Sequence, residues 1–196
     1  MSLQELDGRL ARSQRTREAV VEAIIGLMAE GELQPTAAAI AARAGVAERT
    51  IFQHFPERDA LFLAVAARQA DRIRSEWEPV PRSGRLEDRI DAFVSQRARI
   101  LELVSPVRRG ALLMEPFSEP VSEGLSGFRR LKRQEATRVF ARELERLPES
   151  ERAATTAALG AIASWSAWEE LRRHQGLTFG EARAALRRAV AALVGG

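Results

Sequence analysis

Between Thr36 and Leu61 the chain reads TAAAIAARAGVAERTIFQHFPERDAL, and few folded arrangements satisfy that order of residues. Thr36 is placed to cap a short Ala-rich helix, its hydroxyl accepting from a first-turn amide that has no partner inside the helix. Gly45 ends that helix, because a left-handed turn residue costs least without a β-carbon. Val46 comes next as an apolar plug, and a second short helix is predicted from about Ala47 to Gln53 or His54 with Ile51 turned inward. A small Ala41 lets the two axes approach, and Ile51 fills the angle between them. This order of Ala41, Gly45 and Ile51 is the spacing of a helix-turn-helix, whose second helix enters the major groove of duplex DNA. The Ala and Gly alone suit any helical hairpin with a glycine turn. The residues after the turn favour the narrower reading.

From Thr50 to Pro56 polar and aromatic groups alternate at helical spacing, and Arg58 lies just inside a further helix that Pro56 helps to start. Here the chain resembles the TetR family of transcriptional regulators. The DNA-binding half of that family carries an Ala-Gly-Val turn, a threonine, an aromatic pair ending in Phe, and a basic residue shortly after. The resemblance reaches back through Arg17, Val20, Ala23, Leu27 and Gly31, covering roughly residues 10 to 65. Beyond residue 65 only helix lengths and order are compatible with it. Three departures weaken the phosphate-binding inventory. Ala47 stands where the family usually has a capping Ser, forgoing about 1 kcal/mol; Phe52 replaces a more frequent Tyr; and Glu48 occupies a position that is often Lys.

Composition narrows the remaining classes. A chain of 196 residues with 45% hydrophobic content can bury a sizeable core in one or two domains. The absence of cysteine excludes disulfides and thiolate chemistry, and two histidines leave little for a metal, so no metal and no cofactor are expected. No apolar run approaches the ~18 residues of a membrane span. Acidic Glu5 and Asp7 sit where a signal peptide would need a basic start, so a cytoplasmic location is expected. Net charge is +3, yet residues 1–60 hold seven arginines against nine acidic side chains. Placement therefore matters more than total: Arg9, Arg12, Arg15 and Arg17 cluster ahead of the first apolar stripe, and Arg49 and Arg58 flank the second helix of the motif. Such arginines also solvate ordinary helix faces. Lys132 is the only lysine.

The rest of the chain reads as helix throughout, with no strand pattern and no repeat. Val20, Ile24, Leu27 and Met28 mark a first helix from about Ser13 to Glu30. Phe62 to Trp77 belong to a long fourth helix ending near Pro79, and Leu86 to Val104 to another stopped by Pro106. A short segment runs from Val107 to Met114, a longer helix covers Leu125 to Leu144, Pro148 starts one reaching His174, and the last covers about Phe179 to Val194. The expectation is an all-α protein of about nine helices. Residues 1–60 form a three-helix DNA-binding domain, and residues 61–196 a helical ligand-binding and dimerisation domain.

This arrangement assigns roles. Arg49 and Gln53, one turn apart, suit guanine and adenine edges. The resemblance implies that Thr50 and His54 bond phosphates; Arg58 would add charge, with Arg15, Arg17 and Thr36 completing the DNA-binding set. Glu48 suits the helix dipole better than a cytosine. Trp77, Phe93, Met114, Phe117, Phe128 and Trp165 are candidates for lining an effector cavity, although such residues are also plain core. Arg108, Arg109 and Glu115 are candidates for orienting a charged ligand. Ala157, Gly160, Ala161, Ser164 and Trp168 form a mostly small stripe, matched by Leu186 and Val190 on the last helix. Two copies of that helix pair would make a four-helix dimer interface, which the resemblance also implies.

The expected partners are a double-stranded operator, a small-molecule effector and a second copy of the chain. The competing class is a helical-bundle enzyme or metal protein, for which Glu170 and His174 have a suitable i, i+4 spacing but no second pair to complete a di-metal site. No phosphate loop, nucleotide fingerprint or nucleophilic triad is visible. A third reading is a constitutive nucleoid or interaction protein without a ligand.

Overall fold

Helical periodicity governs the whole of the computed structural model, which describes residues 3–195 and, among them, ten α-helices and no strand. Side chains are described from Asp7 onward, so that of Glu5 lies outside the described residues. The helices are α1 (Leu3–Ala29), α2 (Ala37–Ala44), α3 (Glu48–His54), α4 (Arg58–Ser75), α5 (Leu86–Met114), α6 (Glu119–Val139), α7 (Ala141–Arg146), α8 (Glu149–Ile162), α9 (Trp165–Glu169) and α10 (Phe179–Val194). A 3₁₀ turn, Glu115–Phe117, precedes α6, and a π-helical turn, Glu170–His174, extends α9.

The residues pack as two compact units, each built from two stretches of chain. One takes the chain up to Arg72 with Pro106–Gly124; the other takes Ile73–Ser105 with the chain from Leu125 onward. The first unit is centred on Val20, Ile24 and Met28 of α1, Ile40 and Ala41 of α2, Ile51 and Phe55 at α3, and Val65 of α4. Gly110 of α5 also sits in it. A Cβ there would meet Met28 Cε at 2.8 Å and the Leu33 carbonyl oxygen at 2.9 Å, so glycine is what allows this approach. Nearby, Ser118 Oγ donates to Asp59 Oδ1 at 2.8 Å. The Ser118 hydroxyl also accepts from the Val121 amide, capping α6.

The second unit is centred on Phe93 and Leu101 of α5, Phe140, Leu159 of α8, Trp168, and Leu186 and Val190 of α10. Phe93 meets Phe140 edge to face, with centroids 5.2 Å apart. Two of its core-facing positions on α5 are arginines, Arg89 and Arg97, about two turns apart and hence on one face. Each completes a helix break that the sequence reading missed.

The helix expected from Leu125 to Leu144 breaks at Phe140, and Arg89 donates to the Val139 carbonyl at 2.8 Å while pairing with both carboxylate oxygens of Glu143. The helix expected from Pro148 to His174 breaks at Ala163, whose carbonyl accepts from Arg97 at 3.1 Å. Ser164 then caps α9 by accepting from the Ala167 amide. A helix end buried in a core leaves carbonyls that must find donors, and these two guanidinium groups supply them.

Other boundaries also differ from expectation. The first helix begins at Leu3 instead of Ser13, and the fourth ends at Ser75, leaving Trp77 outside it. Pro106 does not stop α5, which continues to Met114. Proline removes one helix N–H and crowds the preceding turn, but Val107 and Gly110 beyond it have apolar packing to gain in the first unit, and the helix persists.

Three residues assigned to a dimer interface require correction. Trp168, Leu186 and Val190 are almost fully buried in the core of the second unit, where they already have partners. Trp168 Nε1 donates to Glu102 at 2.8 Å, and Arg172 grips the same carboxylate with two nitrogens. The small residues differ: Ala157 and Ala161 are exposed, while Gly160 and Ser164 are half-buried. Gly160 faces Arg133, whose side chain would lie 3.1 Å from an added Cβ.

Candidate nucleic-acid interface

The bend between α2 and α3 forms as its residues dictate. Thr36 adopts an extended conformation and its Oγ1 accepts from the Ala39 amide at 3.1 Å. Gly45 takes φ 67°, its amide reaching the Ala42 carbonyl while that of Val46 reaches Ala41 at 3.0 Å. These two bonds make a Schellman closure, which satisfies the Ala41 and Ala42 carbonyls and reverses the chain. Arg43, in the last turn of α2, then reaches back to the end of α1 and holds both oxygens of Glu30 at 2.6 and 2.7 Å.

Helix α3 buries Ile51 and leaves Glu48, Arg49, Phe52 and Gln53 exposed, with Thr50 and His54 half-buried. Arg49 and Gln53 therefore share an outward face one turn apart. Ala47 has the extended backbone of a cap but no side-chain bond to the first turn, as its methyl group requires. Phe52, 58% exposed, is an apolar surface beside these polar groups. Arg58 is exposed at the start of α4, its guanidinium 5.7 Å from the centre of the Phe62 ring. Arg15 is exposed on α1.

Arg17 is occupied differently from the expectation. It donates to the His54 carbonyl at 2.5 Å and lies over the Phe55 ring, 4.3 Å from the centroid. It thus fastens the C-terminal end of α3 to α1. The long-range pairing of Glu22 on α1 with Arg68 and Arg72 on α4 closes the same group of helices from another side. Sequence reasoning overlooked this frame, and also overlooked that residues 106–124 belong to the same unit as the bend.

The family model described as bacterial regulatory proteins, tetR family, matches residues 20–65, the stretch that contains the bend and α3. This segment belongs to the tetR family. The tetR-family head is a DNA-binding helix-turn-helix, and its family comprises transcription regulators, not enzymes. No curated protein matches the chain.

Solved structures share the fold over nearly the whole length. A tetR-family transcriptional regulator from Streptomyces coelicolor is 19% identical with a TM-score of 0.63, covering 98% of this chain and 82% of its own. A Mesorhizobium loti protein assigned to the tetR family is 17% identical with a TM-score of 0.65, covering 94% and 97% respectively. A TetR-like regulator from a Rhodococcus species is 18% identical with a TM-score of 0.60, covering 94% and 97%. At these identities the likeness concerns the fold; the head rests on the family match.

The six residues expected around an effector divide between the two units. Met114 and Phe117 fall in the first unit, Met114 buried and Phe117 82% exposed. Phe93 is core, and Trp165 Nε1 donates to Ser105 Oγ at 3.0 Å. Trp77 and Phe128 do share a neighbour, the Lys132 ammonium, which lies 4.2 and 5.5 Å from their ring centres. An open cleft of about 370 Å³ in the second unit, between α5, α10 and the segment around Pro79, is lined by none of the six.

Lys132 is the centre that sequence reasoning missed. Its ammonium and Arg97 both bond Glu135 Oε2, at 3.3 and 2.9 Å. Burial and the neighbouring Arg97 pull its pKa down to about 8, and burial brings Arg97 to about 10. The available signal was Arg97 itself, a charge on the apolar stripe of Phe93, Val94 and Leu101. Glu170 and His174 are both exposed, and Glu170 accepts from Gln175 Nε2. Among the described residues no three His, Cys, Asp or Glu side chains cluster as a metal site would need. No helix among them is long and apolar enough to cross a membrane.

Proposed function

We propose that the protein is a cytoplasmic, ligand-responsive repressor that binds a near-palindromic operator as a homodimer and is released by a small apolar or aromatic effector. The observation that supports this most directly is the outward face of α3. Arg49 and Gln53 stand free of the head's core one turn apart, on a helix held at both ends by Gly45 and Arg17. A rigid short helix with two base-reading side chains on one face is what major-groove readout requires. Thr50 and His54 flank that face for phosphates, with Thr36, Arg15 and Arg58 at its margins and Glu48 complementing the α3 dipole.

In this reading the working division is residues 1–60 for DNA and 61–196 for effector and dimer. The exposed Ala157 and Ala161 of α8 let a second copy approach closely. An effector that repositions α4 would change the spacing of the two recognition helices, so effector and operator would weaken each other's binding by the same factor.

The test is a footprint on DNA flanking the protein's own coding region, repeated across salt concentrations and with candidate effectors. A protected, roughly two-fold symmetric site is expected. Within it, Arg49→Ala should cost about 1–3 kcal/mol and relax preference at one base position. Failure to protect any duplex at low ionic strength, or a monomer at micromolar concentration, rejects the reading.

A further inference from the structure

We infer that the second unit binds a small organic carboxylate at Lys132, with the body of the acid against Trp77 and Phe128. The inference rests on the effector reading above and names the chemical class of the effector. It starts from a charge imbalance. Arg97 and Lys132 are two cations with only 2% and 11% of their side chains exposed, and they share the single carboxylate of Glu135. Glu135 engages both through Oε2, while Oε1 meets no donor among the described residues. One anion cannot neutralise two buried cations, and a net positive charge away from water is costly unless it is paired.

The two cations are not equally provided for. Arg97 also donates to the carbonyls of Ala163, at the end of α8, and of Lys132, within α6, so its fork is committed to backbone oxygens as well as to Glu135. Beyond Glu135, the Lys132 ammonium lies over the Trp77 and Phe128 rings. A cation over an aromatic face is held more weakly than one donating to a carboxylate. An incoming carboxylate therefore draws the ammonium off the indole and completes the neutralisation that Glu135 leaves half done. Trp77, 38% exposed, lies on the segment after α4, so one of the two rings borders solvent. The rings that release the ammonium then become apolar surface for the body of the acid. An amine is repelled by the same charges, and a neutral amide gains no pairing.

The test titrates the full-length protein with phenylacetate and hexanoate, and with their amides, following tryptophan fluorescence and heat. Each acid should bind at least tenfold tighter than its amide. Lys132→Gln should abolish that preference and Lys132→Arg retain it, with unfolding transitions confirming that both variants fold. Equal binding of acid and amide, a preference that survives Lys132→Gln, or no saturable binding of either acid overturns the proposal. Measuring operator retention with the same acids separates the two readings. Lys132-dependent binding that leaves operator affinity unchanged keeps the site and rejects its role as effector site, whereas an absence of any DNA binding rejects the regulator and leaves the carboxylate site standing.

Discussion

Arg17 of α1 donates to the carbonyl of His54, the last residue of α3, from 37 positions away in sequence. The bond satisfies a helix-terminal carbonyl and places a positive charge at the negative end of the helix dipole, so one side chain both orients and stabilises the recognition helix.

Arg17→Ala should therefore lower stability of the head by about 1–2 kcal/mol, the worth of a charge-assisted bond and a ring contact in a half-buried setting. Chemical denaturation measures the loss. DNA affinity should fall for every sequence while the dependence of log K on log salt keeps its slope, because no phosphate contact is removed. A slope reduced by about one unit would put Arg17 on the DNA backbone instead.

Ala47 already has the backbone conformation of a helix cap, with φ −76° and ψ 146°, and lacks only the oxygen. Ala47→Ser should raise stability by about 1 kcal/mol. A rise in the denaturation midpoint with an unchanged m-value would show that the cap forms without altering the fold. An unchanged midpoint would mean that the hydroxyl does not reach the first-turn amides.

The Arg89–Glu143 pair predicts a large loss and an acid limb. Glu143→Ala leaves the Arg89 guanidinium buried without its carboxylate and should cost about 3 kcal/mol. The hydrogen bond from Arg89 holds the Glu143 carboxyl below the usual carboxylate range. Its contribution is present above the carboxyl's unfolded pKa and is lost as pH falls through the lower folded value. Stability of the parent should thus drop more steeply in acid than that of the variant, which thermal unfolding across that range measures.

Lys132 titrates with the opposite sense. Its folded pKa of about 8 lies below its ordinary 10.5, so between these values the unfolded chain binds more protons than the folded one. Stability supplied by this group therefore rises as pH climbs through that window, and below it the buried charge is a cost. Lys132→Met should remove the rise and raise stability at neutral pH, with the difference from the parent shrinking towards pH 10. Parallel stability curves for the two proteins from neutral pH to pH 10 would contradict the burial of this charge.

The α2–α3 bend was legible in the sequence because every part of it is local. Thr36, Gly45 and Val46 act on backbone groups within five residues of themselves, so residue type and spacing suffice to place both helices and their turn. The start of α10 was legible for the same reason, Thr178 and Glu181 forming a reciprocal capping box. Only the tertiary structure decided which charges lie inside. Arg17 and Arg89 look like solvated helix-face residues until carbonyls and a carboxylate dozens of positions away are brought to them, and Lys132, whose carboxylate partner Glu135 is a near neighbour in the chain, does so until Trp77 and Arg97 pack beside it. The same holds for Pro106, which ends a helix by local rules and does not end α5, and for Trp168, Leu186 and Val190, which form core and not a surface stripe. Local hydrogen bonds are set by near neighbours in the chain, whereas burial and ion pairing depend on distances that exist only after the helices have packed.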